Sequence, residues 1–270
     1  MSRIAKALKV SRPHLSWSLH HVSTSRGRYR KVDDEALVKR IRAIVDVRPT
    51  YGYRRVHEML NRQEGCHGVN HKRVYRVMKQ ACLLLVVGSQ RPVRPHDGKV
   101  ITLKSNLRWC TDMFEIRCWN GEKVHVGFVL DCCDRAVISW VAKPWHLDST
   151  DVCDLMAQGV ESRFDDVKVP HPIEWLSDNG PPYIANNSKA FAKTCGLLVR
   201  NTPAYSPESN GMAEAFVKTF KRDYVYVNDV DSAASVLAQM PMWFIDYNEV
   251  APHKGLRMLS PKMFLAKKQS

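Results

Sequence analysis

Three acidic residues stand out by position rather than by type. Asp112 falls inside "RWCTDMFEIRCW", an apolar stretch that reads as a strand, and Asp178 follows directly on the apolar "IEWLS". Glu214 sits in "SPESNGMAEAFVKTFKRD", which opens with loop formers and continues as a helix. Side chains at strand ends emerge from a rigid scaffold into a cleft. Carboxylates gathered there would suit hard cations that prefer oxygen ligands. The chain holds 27 Asp and Glu, so residue type selects no trio and context must.

The helix around Glu214 is two-faced. At about 100° per residue, Met212, Phe216, Phe220 and Tyr224 form one stripe, and Glu214, Lys218 and Lys221 form the opposite one. The apolar stripe can pack on a core; the other presents a carboxylate and then two ammonium groups. Taken alone, that face is equally a solvated i,i+4 ion pair. Glu208 lies 6 positions from Glu214, about 240° round a helix, and would point away. Asp131 and Asp134 read as a turn with a surface ion pair to Arg135. Trp109, Trp140, Trp145 and Trp175 read as core residues.

These acids need a scaffold, and the second half of the chain has the texture of one. "RWCTDMFEIRCW", "KVHVGFVLDCC" and "AVISWVA" are strand-like, with a hairpin signal at Asn120-Gly121. A helix around 148–162, the strand "IEWL", a helix around 188–195, the strand "LLVR" and the Glu214 helix follow. Strands in a run, then helices alternating with strands, indicate a mixed α/β sheet with helices on its faces.

The first half is helical and basic. Residues 1–105 carry 23 Lys and Arg against 7 Asp and Glu, whereas residues 106–270 carry 18 against 20, so all of the +14 net charge sits in the first segment. Such a segment attracts a polyanion, of which nucleic acid is the commonest. "IAKALKVSRPHLSWSL" reads as a short helix-turn-helix with Ser11 as a cap. Leu37, Ile41, Ile44 and Val45 form a further apolar stripe, "YGYRRVHEML" leads into another helix, and Asn70 caps "HKRVYRVMKQACLLL". There Val74, Val77 and Met78 face inward, and Arg54, Arg55, Lys72, Arg73 and Arg76 are the candidates for phosphate contact. "GSQRPVRPHDGK" is a linker. The expected divisions are therefore 1–30, a short helix-turn-helix; 31–87, a basic helical DNA-binding region; 88–105, a linker; 106–227, the α/β unit; and 228–270, a helical extension.

The longest apolar run, about "ACLLLVV", is far short of the roughly 20 residues that span a bilayer, which excludes a membrane partner. The amino terminus lacks a secretory hydrophobic region. Eight cysteines without any C-x-x-C read as reduced thiols in a cytosol and argue against a structural zinc site.

"RWCTDMFE", "EWLSDNGPPY" and "NTPAYSPESNGMAEAFVKTFKRDYV" together resemble the DDE transposases and retroviral integrases. More closely, they resemble the B-frame product of two-frame bacterial insertion-sequence transposases. Asp178 and Glu214 are separated by 35 residues, the spacing typical of that family. "YGYRRV" and "YNEVAPH…LSP" extend the likeness from about Val38 to Phe264. Ala251 departs from the pattern, since the family usually has Arg before the Pro-His pair.

The resemblance implies a ribonuclease-H-like integrase core preceded by an all-α basic helix-turn-helix region. It implies Asp112, Asp178 and Glu214 as catalytic metal ligands for Mg²⁺, with Mn²⁺ as substitute, as two ions. Two such ions can stabilise the attacking and leaving oxygens of an in-line displacement at a phosphodiester. Lys218 and Lys221 would meet DNA phosphates beside the reacting bond, with Tyr205 and Asn210 as further DNA contacts in the preceding loop. Implied partners are double-stranded DNA, both element ends and target, further copies of the chain on that DNA, and an upstream-frame subunit by fusion or association. The implied location is the bacterial cytoplasm, on the nucleoid. A DNA-binding regulator that does not cut and a structure-directed nuclease on the same fold are the alternatives.

Overall fold

The computed structural model describes residues 11, 33–63, 68–86, 102–201 and 211–269. The expected amino-terminal helix-turn-helix (Ser11 apart), residues 88–101 of the linker, and Tyr205, Glu208 and Asn210 lie outside the described residues.

The basic region contributes three helices, α1 (Asp34–Val47), α2 (Tyr53–Asn61) and α3 (His71–Gln80). Leu37, Ile41 and Ile44 of α1, Val56 and Leu60 of α2, and Val74, Val77 and Met78 of α3 close around Tyr51 in a core of their own. Asn70 caps α3 as its side chain leads one to expect, accepting the Lys72 N–H at 2.8 Å. Asp34, buried at the start of α1, is held by Arg73 at 3.0 Å and Arg76 at 2.8 Å. Isolated burial of that carboxylate would cost several kcal/mol, roughly, so α3 turns two of its cations inward to meet it.

The mixed sheet follows. β1 (Arg108–Arg117), β2 (Lys123–Asp131) and β3 (Val137–Lys143) form an antiparallel meander, and β4 (Ile173–Ser177) and β5 (Leu197–Asn201) add in parallel beyond β1. The order is β3-β2-β1-β4-β5. Asn120-Gly121 makes the first hairpin: Gly121 takes φ +90°, and Asn120 Oδ1 accepts the Glu122 N–H at 3.0 Å.

Helices cover both faces. On one lie α4 (Ser149–Phe164), started by a capping box between Asp148 and Asp151, then the short α5 (Pro181–Ile184) and α6 (Asn186–Cys195). On the other lie α7 (Gly211–Asp223) and α8 (Ala233–Glu249), and the carboxy-terminal α9 (Pro261–Gln269) packs on α8. Strand alternation sorts the side chains between the two layers. Trp109, Val129 and Trp175 enter the core shared with α4 and α6, whereas Cys110, Phe114, Ile116 and Phe128 enter the core shared with α7 and α8.

Two readings of the sequence need correction. Trp109 and Trp175 are buried and Trp140 stacks on Phe244 with ring centroids 4.7 Å apart, but Trp145 is 62% exposed and belongs to no core. Asp131 and Asp134 do form a turn, yet both are fully buried, and Asp134 pairs with Arg163 at 2.9 Å rather than with Arg135 at the surface. Asp131 accepts the N–H groups of Asn106, Cys133 and Asp134, which makes it the organiser of the turn.

Candidate active site

The geometry of the acid site follows from register and alternation. Parallel pairing sets Cys110 opposite Leu176, and two residues further along each segment come Asp112 and Asp178. Cys110 and Leu176 both contribute to the core beneath α7, so a period of two places Asp112 on that side and leads Asp178 toward it. α7 lies across this face on its apolar stripe: Phe216 packs on Phe128 at 4.2 Å between ring centroids and Phe220 on Phe114 at 5.7 Å. That seating puts Glu214, in the first turn, on the same side of the sheet as Asp112 and near enough for its charge to act on it.

The charges register the meeting. Burial, then the nearby charges of Asp178 and Glu214, push the Asp112 carboxyl up to about 6, against the opposing hydrogen bond it accepts from the Met113 N–H at 2.8 Å. Asp178 accepts the Gly180 N–H at 2.9 Å, and a Cβ at position 180 would stand 3.0 Å from its Oδ1, which is the reason for glycine there. The Asn201 side chain donates to the Asp178 carbonyl at 3.2 Å and ties the turn to β5. Glu214, whose side chain is 44% exposed, accepts from Lys218 Nζ at 3.2 Å. Lys221 continues the same face, its ammonium 5.6 Å from the Phe114 ring centre.

Among the described residues no three His, Cys, Asp or Glu side chains are closed tightly enough to enclose an ion. The residues nevertheless fit one. They are hard oxygen donors, and the charges of Asp178 and Glu214 add to the effect of burial on Asp112. Among the described residues the one cation paired with the trio, Lys218, is itself 71% exposed and held to Glu214 only at the surface.

Tyr183 and Thr111 belong to this site and were not singled out from sequence. The Tyr183 hydroxyl lies 3.1 Å from Thr111 Oγ1, which donates to the Phe128 carbonyl at 2.7 Å, so the two brace β1 next to Asp112. Burial, with the charges of Asp112 and Asp178, holds the Tyr183 phenol far above its ordinary range. Its place in "DNGPPY", one turn beyond Asp178, was the available signal.

The expected DNA-facing cations divide. Arg54 and Lys72 are exposed. Arg73 and Arg76 are engaged by Asp34, and Arg55 is turned onto the end of α7, where its Nη1 meets Asp223 at 2.7 Å. Arg222 and Thr50 complete the shell around Asp223, at 2.7 and 2.6 Å. Beside it Arg48 grips both oxygens of Asp246, which also accepts from the Tyr224 hydroxyl at 2.8 Å. Tyr51 lies between the two arginines, their guanidinium carbons 5.7 and 4.9 Å from its ring centre. Arg62 donates to the carbonyls of Val250 and Met258 at 2.6 and 2.8 Å, capping the end of α8. "YGYRRV" is thus largely a fastening between the three-helix unit and α7–α8. Ala251 is buried at that same end of α8 and bonded through its N–H to the Asp246 carbonyl.

A mixed sheet of this order, covered by helices on both faces, is the arrangement of an integrase-type core. Family models agree: "HTH-like domain" matches residues 32–91, and "Integrase core domain" matches residues 103–207 and again 196–261. The chain belongs to the DDE transposase and integrase superfamily, among the transposases of insertion elements. It is 41% identical to transposase InsD of insertion element IS2A/D/F/H/I/K from Escherichia coli, over 98% of this chain and 90% of that one. The same figures hold for InsD of IS2D from E. coli strain K12. Similar solved structures include the catalytic core of BIV integrase (17% identity, 61% of this chain and 97% of that one, TM-score 0.43). The catalytic domain of Mos1 mariner transposase is another (20% identity, 52% and 70%, TM-score 0.42). The helix-turn-helix-like and integrase units imply DNA binding, and cores of this family use divalent metals. No helix among the described residues is long and apolar enough to cross a membrane.

Proposed function

We propose that this transposase cuts and joins the ends of its own element by in-line phosphoryl transfer, with Asp112, Asp178 and Glu214 holding Mg²⁺ or Mn²⁺. The observation that supports this reading is the register that sets Asp112 and Asp178 two residues beyond the paired Cys110 and Leu176, under the helix that carries Glu214. Burial and then the charges of Asp178 and Glu214 raise the Asp112 carboxyl. Bound there as a pair, the divalent ions would supply charge stabilisation to the attacking and leaving oxygens of the phosphodiester.

The remaining roles fall to the chain's own residues. Lys218 and Lys221, on the same face of α7 as Glu214, hold phosphates next to the reacting bond. Arg54 and Lys72 give affinity for duplex without selecting sequence. Met113 N–H and Gly180 N–H orient the two aspartates, and Tyr183 and Thr111 keep β1 fixed behind them. Element ends and target are double-stranded DNA, several copies of the chain act together on them, and an upstream-frame subunit supplies end recognition by fusion or association. The chain works in the bacterial cytoplasm, on the nucleoid.

One observation favours the alternative of a regulator that binds without cutting: the Glu214 carboxylate is paired with Lys218 at 3.2 Å. Incubation of the purified chain with its element ends, with and without Mg²⁺ or Mn²⁺, separates the readings. Metal-dependent nicking and strand joining support the proposal. Binding without nicking supports the regulator, and degradation indifferent to sequence supports a nuclease.

A further inference from the structure

Beyond Lys221 the charged face of α7 runs into a second feature. A cleft of about 490 Å³ opens between the β1–β2 hairpin and the chain that follows α7, lined by Glu115, Arg117, Trp119, Lys221, Tyr226 and Asn228 among others. Its two aromatic side chains are displayed to solvent, Trp119 at 66% and Tyr226 at 73% exposure, although the backbone beneath is fixed. Trp119 N–H donates to the Val230 carbonyl at 2.9 Å and Asn120 N–H to the Asp231 carbonyl at 3.2 Å, which bolts the hairpin to the loop before α8. Among the side chains that line it, two cations, Arg117 and Lys221, stand against one acid, Glu115. Glu115 is met by Lys123 at 2.9 Å and by Arg117 at 3.9 Å, leaving Lys221 as an additional cation; Asp229 and Asp231 flank the cleft without lining it.

Exposed aromatic faces beside cations, on a rigid backbone, are the elements that bind unpaired nucleotides: each base stacks while its phosphate is neutralised. Position along the helix sets the distance from the acids in nucleotides. From Glu214 to Lys221 the helix advances about 10 Å, the rise of roughly three nucleotides of one strand. We infer that the Trp119–Tyr226 cleft is a binding site for single-stranded DNA, taking the bases about three nucleotides from the phosphate held at the acids. This rests on and deepens the proposed phosphoryl-transfer reading, because one face of α7 would then hold a phosphate at the acids and the bases of the same strand beyond Lys221.

The test is binding in the absence of metal, so it does not depend on cutting. A fluorescent 12-nucleotide oligothymidine and a blunt 12-base-pair duplex are titrated with the native chain and with Trp119→Ala, Tyr226→Ala, Trp119→Phe and Lys221→Gln. Each alanine variant is expected to lose about fivefold or more of its affinity for the oligothymidine, with duplex affinity changed less than about twofold. Trp119→Phe retains most of the binding, and Lys221→Gln lowers the salt slope by about 0.7. Both aromatic residues are exposed, so their loss leaves the thermal melt in place.

Failure of the native chain to bind oligothymidine overturns the inference, as does unchanged affinity in both alanine variants. Equal loss toward both DNAs overturns it as well, and so does a change in sedimentation without a change in DNA affinity, which would make the cleft a contact between copies of the chain. Oligothymidine binding that depends on the two aromatics, in a chain that never nicks DNA, leaves the cleft standing and removes the phosphoryl-transfer reading instead.

Discussion

The two ends of α7 carry acids under opposite regimes. At its amino-terminal end Glu214 approaches Asp112 and Asp178, and burial, followed by the charges of Asp178 and Glu214, raises the Asp112 carboxyl to about 6. At its carboxy-terminal end Asp223 stands where the helix dipole disfavours an anion and burial opposes its charge, yet the hydrogen bonds of Arg222 and the charge of Arg55 carry its pKa below the ordinary value. Asp246 beside it has Arg48 and the Tyr224 hydroxyl. One group is charge-satisfied by the fold and the other is left in deficit. The fold supplies part-buried arginines to the acid pair at one end of α7, whereas at the other end the only cation paired with an acid of the trio, among the described residues, is the exposed Lys218.

The comparison is broken most severely by Asp178→Asn. DNA nicking by the native chain in Mn²⁺ should fall roughly 10³-fold, about 4 kcal/mol of barrier, while duplex affinity measured by gel shift stays within about twofold. Equal loss of both would place Asp178 in the binding surface rather than the chemistry. At the other end, Arg48→Ala leaves Asp246 without its main cation and should lower the unfolding free energy in denaturant titration by about 3 kcal/mol. A loss under about 0.5 kcal/mol would show that the fastening is ornamental to stability.

Acid titration sharpens the contrast, because the two regions respond with opposite signs. His253, packed against Tyr247 at the end of α8, is buried as the neutral ring and its pKa is pushed down to about 4. The unfolded chain takes up that proton near 6.5, so stability falls as pH drops through the interval, by about 3 kcal/mol, and the lowered Asp223 adds to the fall at lower pH. Asp112 acts the other way in the metal-free protein: its raised value favours the folded state as pH drops from 6 toward 4. Between pH 7 and 4.5 the Asp112→Asn variant should therefore lose more stability than the native chain, as measured by chemical denaturation at each pH. A smaller effect is expected at pH 7, where relief of the carboxylate crowding in Asp112→Asn should raise the metal-free melting temperature by a few degrees, about 1 kcal/mol.

Much of this arrangement was legible from residue order. Alternation in "RWCTDMFEIRCW" put Asp112 among side chains on one face, and the 3.6-residue period separated Phe216 and Phe220 from Glu214, Lys218 and Lys221. The initial run of three strands, the hairpin at Gly121 and the Asn70 cap followed from local rules, whereas the parallel placing of β4 and β5 beyond β1 did not. Long-range pairing was not legible. Nothing near Arg55, Arg73 or Arg76 in sequence indicates that their partners are Asp223, 168 positions away, and Asp34, 39 positions away. A basic stripe read locally counts every cation as outward-facing, whereas buried acids from other elements claim some of them. Asp134 misled for the same reason: Arg135 is adjacent in sequence, and Arg163 is adjacent in space. Trp145 lies just past the end of β3, where alternation no longer says which side is inside.

The most direct measurement is Mn²⁺ binding to the purified chain on element-end DNA, followed by electron paramagnetic resonance. The native chain should bind the ion, and Asp112→Asn and Glu214→Gln should each release it into solution at the same concentration. Mn²⁺ held as tightly by both variants as by the native chain would contradict the view that the unneutralised acids at the head of α7 are a metal site.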